Sequence, residues 1–312
     1  MSDDATAIRV EGLTRRFEAV TAVDGLTFDV RRGELFGLVG PDGAGKTTTL
    51  RMLAGVLRPT AGDAVINGVS VGRDPEAVKP DLAYMSQRFG LYTDLTVLEN
   101  LTFYADLYQV PREERRARLD RLFRFSNLEP FQHRLAGQLS GGMRQKLGLS
   151  CALIHQPKVL LLDEPTFGVD PVSRRDLWLI VHDMVAHGVT AVVSTAYMDE
   201  AERFDRVALI QSGTLLAMDT PEALQRALSD RVLMVRVDRV RDAKVRVASL
   251  PAVSRAVAFG DRLHVTVASA ARDAAVVEAA LRESGFAVQE IRMIAPSMED
   301  VFIDRLAGVG RT

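Results

Sequence analysis

The sequence predicts an α/β fold with a largely parallel sheet, an α-helical insertion, and a small α+β domain after it. Strand-like and helix-like segments alternate from the start of the chain, strand signals disappear between Asp94 and Ile154, and a second alternation begins after Asp230. Alternation of this kind is typical of a parallel sheet covered by helices. The 312 residues allow two domains with substantial cores.

We expect the first domain over residues 1–228. Its short apolar runs and amphipathic runs follow one another at the spacing of β-α units. The predicted elements are strands at Leu35–Val39, Ala83–Gln87, Val159–Leu162 and Val189–Ser194, and helices at Lys46–Leu57 and Ser173–His187.

A helical subdomain is expected over about residues 90–156, inside the first domain. An apolar row formed by Leu147, Cys151 and Ile154 has the spacing of one helix face. The charged run Arg112–Arg118 is interpreted as a solvated helix face.

The second domain is expected over residues 231–312, after a helix that ends near Pro221–Asp230. The order β-α-β-β-α-β predicts a small ferredoxin-like domain. The predicted elements are strands at Leu233–Val237, Val253–Phe259, Arg262–Val267 and Ala287–Ile294, and helices at Ala243–Leu250 and Asp273–Ser284.

The composition excludes several classes of protein. Lys and Arg total 39 against 41 Asp and Glu, so no global basic field exists and nucleic acid is not expected as a partner. The single cysteine, Cys151, cannot form an internal disulfide.

The acidic N-terminus has no apolar signal segment, and no window approaches the roughly 18 to 20 apolar residues of a membrane helix. A cytoplasmic location is therefore expected, and a membrane role requires a separate membrane partner.

A glycine-rich segment follows the first strand and opens a helix, and it reads Gly40-Pro41-Asp42-Gly43-Ala44-Gly45-Lys46-Thr47. This is the G-x-x-x-x-G-K-[ST] pattern in the context that phosphate binding requires. Its glycines let successive N–H groups point at phosphate oxygens, and the helix N-terminus adds partial positive charge. We expect Lys46 to reach the β- and γ-phosphates, the Thr47 hydroxyl to ligate Mg²⁺, and Thr48 to help hold the phosphates.

Two carboxylates follow another buried strand, in the run Val159-Leu160-Leu161-Leu162-Asp163-Glu164. Four aliphatic residues suit a strand covered on both faces. Since burying carboxylates without a cation is costly, we expect Asp163 to bind Mg²⁺ and Glu164 to activate a catalytic water.

A third motif, Leu139-Ser140-Gly141-Gly142-Met143-Arg144-Gln145, begins a helix just before the acidic strand and resembles the signature of ATP-binding cassette (ABC) ATPases. The resemblance covers roughly residues 7 to 225 and implies a P-loop NTPase core that binds ATP and Mg²⁺. It implies that Phe17 stacks on adenine, that Gln87 contacts Mg²⁺ or water and senses a membrane partner, and that Asp170 lies in the D-loop.

The resemblance also implies partners. In this family two cassettes close head to tail, so Ser140, Gly141 and Gly142 act on the nucleotide of a second ABC ATPase, either a sister subunit or an identical chain. Transmembrane permease subunits are the other expected partner, with this chain peripheral on the inner face of the cell membrane. The run Pro296–Phe302 resembles the tail of stand-alone cassettes, commonly exporters of drugs or lipophilic compounds. A structural or dimerising role for the tail is favoured over ligand sensing.

The expected site follows from these motifs. Its catalytic residues are Lys46, Gln87 and Glu164; its nucleotide-binding residues are Phe17, Gly40, Pro41, Asp42, Gly43, Ala44, Gly45, Lys46, Thr47, Thr48, Ser140, Gly141, Gly142 and Asp170; and its metal ligands are Thr47, Gln87 and Asp163.

The sequence departs from the family pattern at two positions. Ala196 stands where the family has a histidine that touches the γ-phosphate, and a methyl group donates no hydrogen bond. Slow hydrolysis is therefore expected, either in a pair with a histidine-bearing sister or in a homodimer where Glu164 acts alone. Asp42 stands where asparagine is more usual.

The predicted function is the ATPase subunit of an exporter. The sequence leaves two alternatives open. One is a soluble ABC module that acts on a protein or nucleic-acid machine, and the other is a regulatory ATP-binding clamp with little turnover.

Overall fold

A computed structural model describes residues 5–87, 90–228 and 231–309. Residues 1–4, which include the two acidic residues Asp3 and Asp4, and the last two residues of the segment Pro221–Asp230 lie outside these ranges. The chain divides into two compact units after Met218, earlier than the boundary of 228 to 231 expected from the sequence. Within the described ranges, no helix has the length and apolar character needed to cross a membrane.

The first unit contains ten strands and six α-helices within the described residues. Its strands are β1 (Thr6–Phe17), β2 (Val20–Arg31), β3 (Leu35–Val39), β4 (Ala61–Ile66), β5 (Val69–Ser70), β6 (Leu82–Met85), β7 (Val159–Asp163), β8 (Thr190–Thr195), β9 (Arg206–Gln211) and β10 (Thr214–Asp219). Its helices are α1 (Lys46–Leu53), α2 (Pro75–Val78), α3 (Val97–Leu107), α4 (Arg112–Ser126), α5 (Gly141–Leu153) and α6 (Pro171–Ala186). Short 3-10 helices lie at Lys79–Asp81, Glu129–Phe131, Ala136–Gln138 and Met198–Arg203.

The central sheet has the order β10-β9-β3-β8-β7-β6, and its neighbours from β9 to β6 are parallel. β3, β7 and β8 are buried along their whole length, as their aliphatic sequences predict. The α/β prediction is therefore confirmed. Because parallel strands end at the same edge, the segments that follow β3, β7 and β8 meet there.

The helix predicted over Lys46–Leu57 is shorter in the structure and ends at Leu53. Gly55 follows with a φ of 67°, in the left-handed region. A glycine in this conformation is a common end for a helix, since it satisfies the last carbonyls without steric cost.

A second, antiparallel sheet with the order β2-β1-β4-β5 was not assigned from the sequence, which placed no strand before Leu35. Its buried residues include Ile8 and Val10 on β1 and Phe28 and Val30 on β2. Register shifts interrupt the β1–β2 ladder at several points. Such bulges break the strict alternation of apolar and polar residues that reveals a strand in a sequence.

The helical insertion lies between β6 and β7, and its described part contains α3, α4 and α5. Thr96 and Glu99 form a capping box that fixes the start of α3. Asn127, with a φ of 56°, ends α4 in the left-handed conformation. Lys146 on α5 pairs with Asp176 on α6 at 3.1 Å, which joins the insertion to the α/β core.

The second unit contains α7 (Pro221–Arg226), β11 (Val232–Val237), α8 (Val240–Ala248), β12 (Val253–Phe259), β13 (Arg262–Val267), α9 (Ala270–Glu283), β14 (Val288–Met293) and α10 (Met298–Val309). Its sheet has the order β12-β13-β11-β14, and all neighbours are antiparallel. Leu233, Val235, Leu263 and Val265 pack with α8 and α9 on one face. His264, between two of these residues on β13, contacts α10 on the opposite face.

The sequence did not predict α10, which covers part of the tail resemblance at Pro296–Phe302. Asp300 anchors this helix: its carboxylate accepts hydrogen bonds from the N–H (2.9 Å) and hydroxyl (2.8 Å) of Ser297 and from Nδ1 of His264 (3.0 Å). Burial alone would raise the pKa of Asp300, but the hydrogen bonds from His264 and Ser297 outweigh it and hold the pKa below its usual range.

We expect Asp300→Asn to lower the opening free energy of α10 by about 2 kcal/mol at pH 7, since it removes a charged acceptor. A carboxyl whose folded pKa is depressed stabilises the fold above its unfolded pKa, so this difference should shrink as pH falls below about 4. Hydrogen exchange of the α10 amides, corrected for intrinsic rates, measures both effects. Asp304→Asn on the same helix is the control, and an equal loss in both variants would contradict the assignment.

Candidate functional site

The loop between β3 and α1 carries glycines in conformations that other residues rarely adopt. Gly43 has a φ of 78° and Gly45 a φ of 102°. Gly45 precedes α1 and has no side chain to cap it, so the N–H groups of the first helical turn are available to an anion. The loop therefore has the backbone shape that the sequence motif predicts.

Two of these glycines are also required by close packing. A Cβ atom on Gly40 would lie 2.2 Å from the carbonyl oxygen of Ile210 in β9, and one on Gly45 would lie 2.5 Å from the carbonyl oxygen of Ala22 in β2. The loop is thus pressed between backbone from both sheets, which fixes its position.

Lys46, the first residue of α1, is 4 % exposed. Its Nζ donates hydrogen bonds to the carbonyl oxygens of Gly40 (2.8 Å) and Pro41 (3.0 Å) and lies 3.0 Å from Oε1 of Glu164. A buried ammonium requires such partners, since leaving it unpaired costs several kcal/mol. The lysine therefore ties the loop to the end of β7.

Asp163, the last residue of β7, accepts three hydrogen bonds. Oδ1 accepts from the hydroxyls of Thr47 (2.9 Å) and Ser194 (2.7 Å), and Oδ2 from the hydroxyl of Tyr84 (3.3 Å). Burial, followed by the negative charge of Asp163, raises the pKa of Tyr84 to about 12, so the phenol remains protonated. Sequence reasoning missed Ser194 and Tyr84, whose positions depend on strand pairing.

The residues at this edge fit a magnesium ion better than a metal held by protein alone. No group of three or more His, Cys, Asp or Glu side chains in the described ranges could hold a metal. Thr47 and Asp163 instead offer one hydroxyl and one carboxylate. Mg²⁺ is typically bound by one or two carboxylates together with water and substrate phosphates.

Glu164 adopts a left-handed backbone conformation with a φ of 49°. Its N–H donates to both the carbonyl oxygen (3.1 Å) and the hydroxyl (3.0 Å) of Ser194, which holds this conformation. Its Oε2 accepts a hydrogen bond from Nε2 of Gln87 at 3.2 Å. Strained backbone of this kind persists where surrounding contacts over-determine it, and such positions cluster at functional sites.

Lys46, Thr47, Gln87 and Glu164 line a cavity of about 480 Å³, whereas Asp163 is not among its lining residues. The lining residues are Ala22, Asp42, Gly43, Gly45, Lys46, Thr47, Thr48, Gln87, Glu164 and Phe167. Ala22 and Phe167 were not predicted, since neither belongs to a recognised motif position. Gly40, Pro41 and Ala44 complete the loop without lining the cavity.

Phe17 is not among the lining residues. It ends β1 and is 42 % exposed, and the guanidinium carbon of Arg15 lies 4.5 Å from its ring centroid. Its expected contact with adenine therefore stays a prediction.

The predicted signature residues lie apart from the cavity lining. Ser140 is the exposed N-cap of α5, followed by exposed Gly141. Gly142 is buried, and a Cβ on it would lie 2.1 Å from the hydroxyl of Ser173 in α6. Asp170 caps α6, and hydrogen bonds from Ser173 lower its pKa. The starts of α5 and α6 are therefore in direct contact.

Ala196 directly follows β8, in a segment held by a buried carboxylate. The hydroxyl of Thr195 donates to Oε2 of Glu200 at 2.7 Å, and Glu200 is 1 % exposed. None of the five histidines, all within the described ranges, lines the cavity. His187 lies before the start of β8, at the opposite edge of the sheet.

Residues 23–167 match the family described as ABC transporter. The chain is 43 % identical to the probable multidrug ABC transporter ATP-binding protein YbhF of Escherichia coli over 97 % of this chain and 52 % of YbhF. It therefore spans about half the length of that relative. It is 34 % identical to the daunorubicin resistance ATP-binding protein DrrA2 of Streptomyces coeruleorubidus, over 98 % of this chain and 96 % of DrrA2.

Among solved structures, the chain resembles one described as the ATP-binding subunit of an ABC transporter. The TM-score is 0.65 at 31 % identity, over 71 % of this chain and 93 % of the other. Together with the phosphate loop and the two carboxylates at the end of β7, these similarities identify the chain as a member of the family of ATP-binding proteins of ABC transporters.

Proposed function

We propose that this chain is the ATPase subunit of an exporter for drugs or other lipophilic compounds, acting on separate membrane subunits. The observation that carries the ATPase role is the convergence of Lys46, Thr47, Asp163 and Glu164 at one sheet edge. The names of the two relatives, multidrug and daunorubicin resistance, support the export role.

The loop and the first turn of α1 bind the phosphates of ATP through backbone N–H groups and Lys46. Mg²⁺ is held by the Thr47 hydroxyl and Asp163, with Gln87 completing the ligands. When bound, this ion neutralises charge on the phosphate oxygens. Adenine stacks on Phe17, which is supported by the exposure of its ring.

Glu164 is the base that accepts a proton from the attacking water. In the structure its carboxylate shares the charge of Lys46, whose Nζ lies 3.0 Å away. A γ-phosphate that draws Lys46 toward its oxygens frees this carboxylate for the water. Gln87, within 3.2 Å of Glu164, orients the same water through its amide.

ABC cassettes dimerise and work with membrane permease subunits. The exposed start of α5 supports a role for Ser140, Gly141 and Gly142 on the nucleotide of a second cassette. Asp170 lies beside them and takes part in the same contact. The absence of a donor at Ala196 favours a histidine-bearing sister over an identical chain as the efficient partner.

An exposed aromatic surface on α3 and the segment before it is the proposed contact for the membrane subunit. Tyr92, Phe103, Leu107 and Tyr108 are each between 37 % and 59 % exposed, and the rings of Tyr92 and Phe103 lie 4.6 Å apart. Clustered exposed apolar side chains mark interaction sites. The location proposed with this contact is the cytoplasmic face of the membrane.

The proposed cassette domain ends near residue 228, and residues 231–312 form an accessory domain with a structural or dimerising role.

A second candidate function is a regulatory ATP clamp with little turnover. Ala196 favours that alternative, whereas a carboxylate base at Glu164 favours hydrolysis.

Replacing Lys46 with alanine should weaken the affinity for Mg-ATP about 100-fold, since charged hydrogen bonds of about 1.5–3 kcal/mol are lost. Isothermal titration calorimetry on the purified chain measures this. Lys79→Ala, which removes an exposed lysine paired with Glu76, is the control. A folded Lys46 variant with unchanged affinity would refute the phosphate role.

Ala196→His should raise ATP turnover about 100-fold, because it restores one donor to the developing charge. Turnover is measured as phosphate release by the chain together with the proteins that purify with it. Ala196→Leu, which adds bulk without a donor, is the matched control. Equal rates in the two variants would show that this position does not limit hydrolysis.

Glu164→Gln should retain ATP affinity and lower hydrolysis by about 10² or more, the usual contribution of a general base. The same variant, incubated with ATP and used to capture partners from solubilised membranes, tests the export role. We expect a separate polypeptide with several membrane spans and a second cassette. Ribosomal proteins or DNA in their place would favour the soluble alternative and overturn the proposed function.

A further inference from the structure

The first unit contains a second cavity, of about 320 Å³, that the ATPase mechanism does not use. It lies between α4, the connection from α5 to β7, the end of α6 and the start of β8. Its lining residues are Arg118, Arg121, Leu122, Phe125, Leu153, Gln156, Pro157, Lys158, Met184, His187, Gly188 and Val189.

This cavity is at the opposite edge of the central sheet from the phosphate loop. Lys158 directly precedes β7, whose other end carries Asp163, and Val189 directly precedes β8. The two cavities share no lining residue. A ligand here would therefore occupy a site distinct from that of the nucleotide.

The inner wall of the cavity is apolar and well packed. Leu122, Leu153 and Met184 are each less than 8 % exposed, and Phe125 adds an aromatic ring. These side chains come from three helices, α4, α5 and α6, so the wall does not depend on one mobile segment. Ligand sites are typically concave, largely apolar and about 300–1,000 Å³ in volume.

The rim of the cavity is basic. Arg118, Arg121, Lys158 and His187 line it, and all twelve lining residues are described ones with no carboxylate among them. An apolar wall strengthens the field of a charge beside it, because it keeps out the water that would otherwise screen that charge. The cavity therefore favours a negatively charged ligand.

Three of the four basic side chains already have acidic partners. Arg118 pairs with Glu114, Lys158 pairs with Asp81 at 2.9 Å, and His187 lies 3.4 Å from Asp183. The fourth is Arg121, whose guanidinium carbon lies 5.2 Å from the ring centroid of Phe125.

Among the ion pairs and hydrogen bonds of the described residues, none joins Arg121 to a carboxylate. Of the four basic lining residues, Arg121 is therefore the one whose positive charge is not already neutralised by a carboxylate. Its position beside the aromatic wall brings a cation and an apolar surface together.

We infer that this cavity binds a small organic monoanion, a carboxylate or sulfonate with an apolar body. The apolar body of the ligand packs against Leu122, Leu153 and Met184, and its anionic group pairs with Arg121. A planar guanidinium suits a carboxylate or sulfonate because it offers parallel N–H donors. Inorganic phosphate fits poorly, since the single unpaired arginine would leave much of its charge uncompensated beside an apolar wall.

The test uses two aromatic probes of nearly the same shape. One is 8-anilinonaphthalene-1-sulfonate, which carries a sulfonate, and the other is N-phenyl-1-naphthylamine, which is neutral. Both become fluorescent in apolar surroundings. The titrations use the full chain with saturating ADP, so that the phosphate-loop cavity is filled.

We expect one sulfonate probe to bind per chain in the presence of ADP. Arg121→Gln should weaken its binding about tenfold or more and change that of the neutral probe less than about twofold, since only the charged contact is lost. Arg116→Gln, on an exposed position of the same helix, is the matched control and should change neither. Phe125→Ala should weaken both probes, because it removes part of the apolar wall.

Three results would overturn the inference. They are complete displacement of the sulfonate probe by ADP, unchanged binding in Arg121→Gln, and an equal loss of both probes in that variant. Melting temperatures followed by circular dichroism show that each variant is folded. Phe125→Ala keeps the site testable if Arg121→Gln does not fold, since a probe bound elsewhere would be unaffected by it.

Discussion

The arrangement of the site depends on the burial of one positive charge. The ammonium group of Lys46 lies out of solvent and is held by two loop carbonyls and by Glu164. Because a buried charge without partners destabilises a protein by several kcal/mol, the loop after β3 and the carboxylate after β7 must lie together. The same constraint makes the ion pair between Lys46 and Glu164 sensitive to a bound anion, because an anion in the loop would compete with Glu164 for the lysine.

Much of the fold and of this site could be predicted because the signals were local. The phosphate loop and the run ending in Asp163 and Glu164 are contiguous motifs, and β3, β12 and β13 have the predicted bounds. What could not be predicted depends on contacts distant in sequence. Ser194 and Tyr84 reach Asp163 only because their strands pair with β7. The bulges between β1 and β2 interrupt the alternation of apolar and polar residues by which a strand is recognised in a sequence.

The proposed site is divided between two surfaces. The side chains around Lys46 line the cavity proposed to bind phosphate and to supply the base, whereas the start of α5 faces solvent and belongs to a separate surface. Gly142 lets α5 approach α6 so closely that Ser173 touches it. A shift of either helix would therefore be transmitted to the other, which couples the signature segment to the residues that follow Glu164.

The packing of the loop glycines has a practical consequence for genetics. Gly40 and Gly45 lie against carbonyl oxygens of β9 and β2, so larger residues there would push against both sheets as well as distort the loop that is proposed to bind phosphate. A phenotype caused by such a substitution confounds misfolding with loss of catalysis. Glu164→Gln separates misfolding from loss of catalysis better, because glutamine preserves the size and shape of glutamate. Substitutions of the two glycines are better suited to testing assembly of the domain.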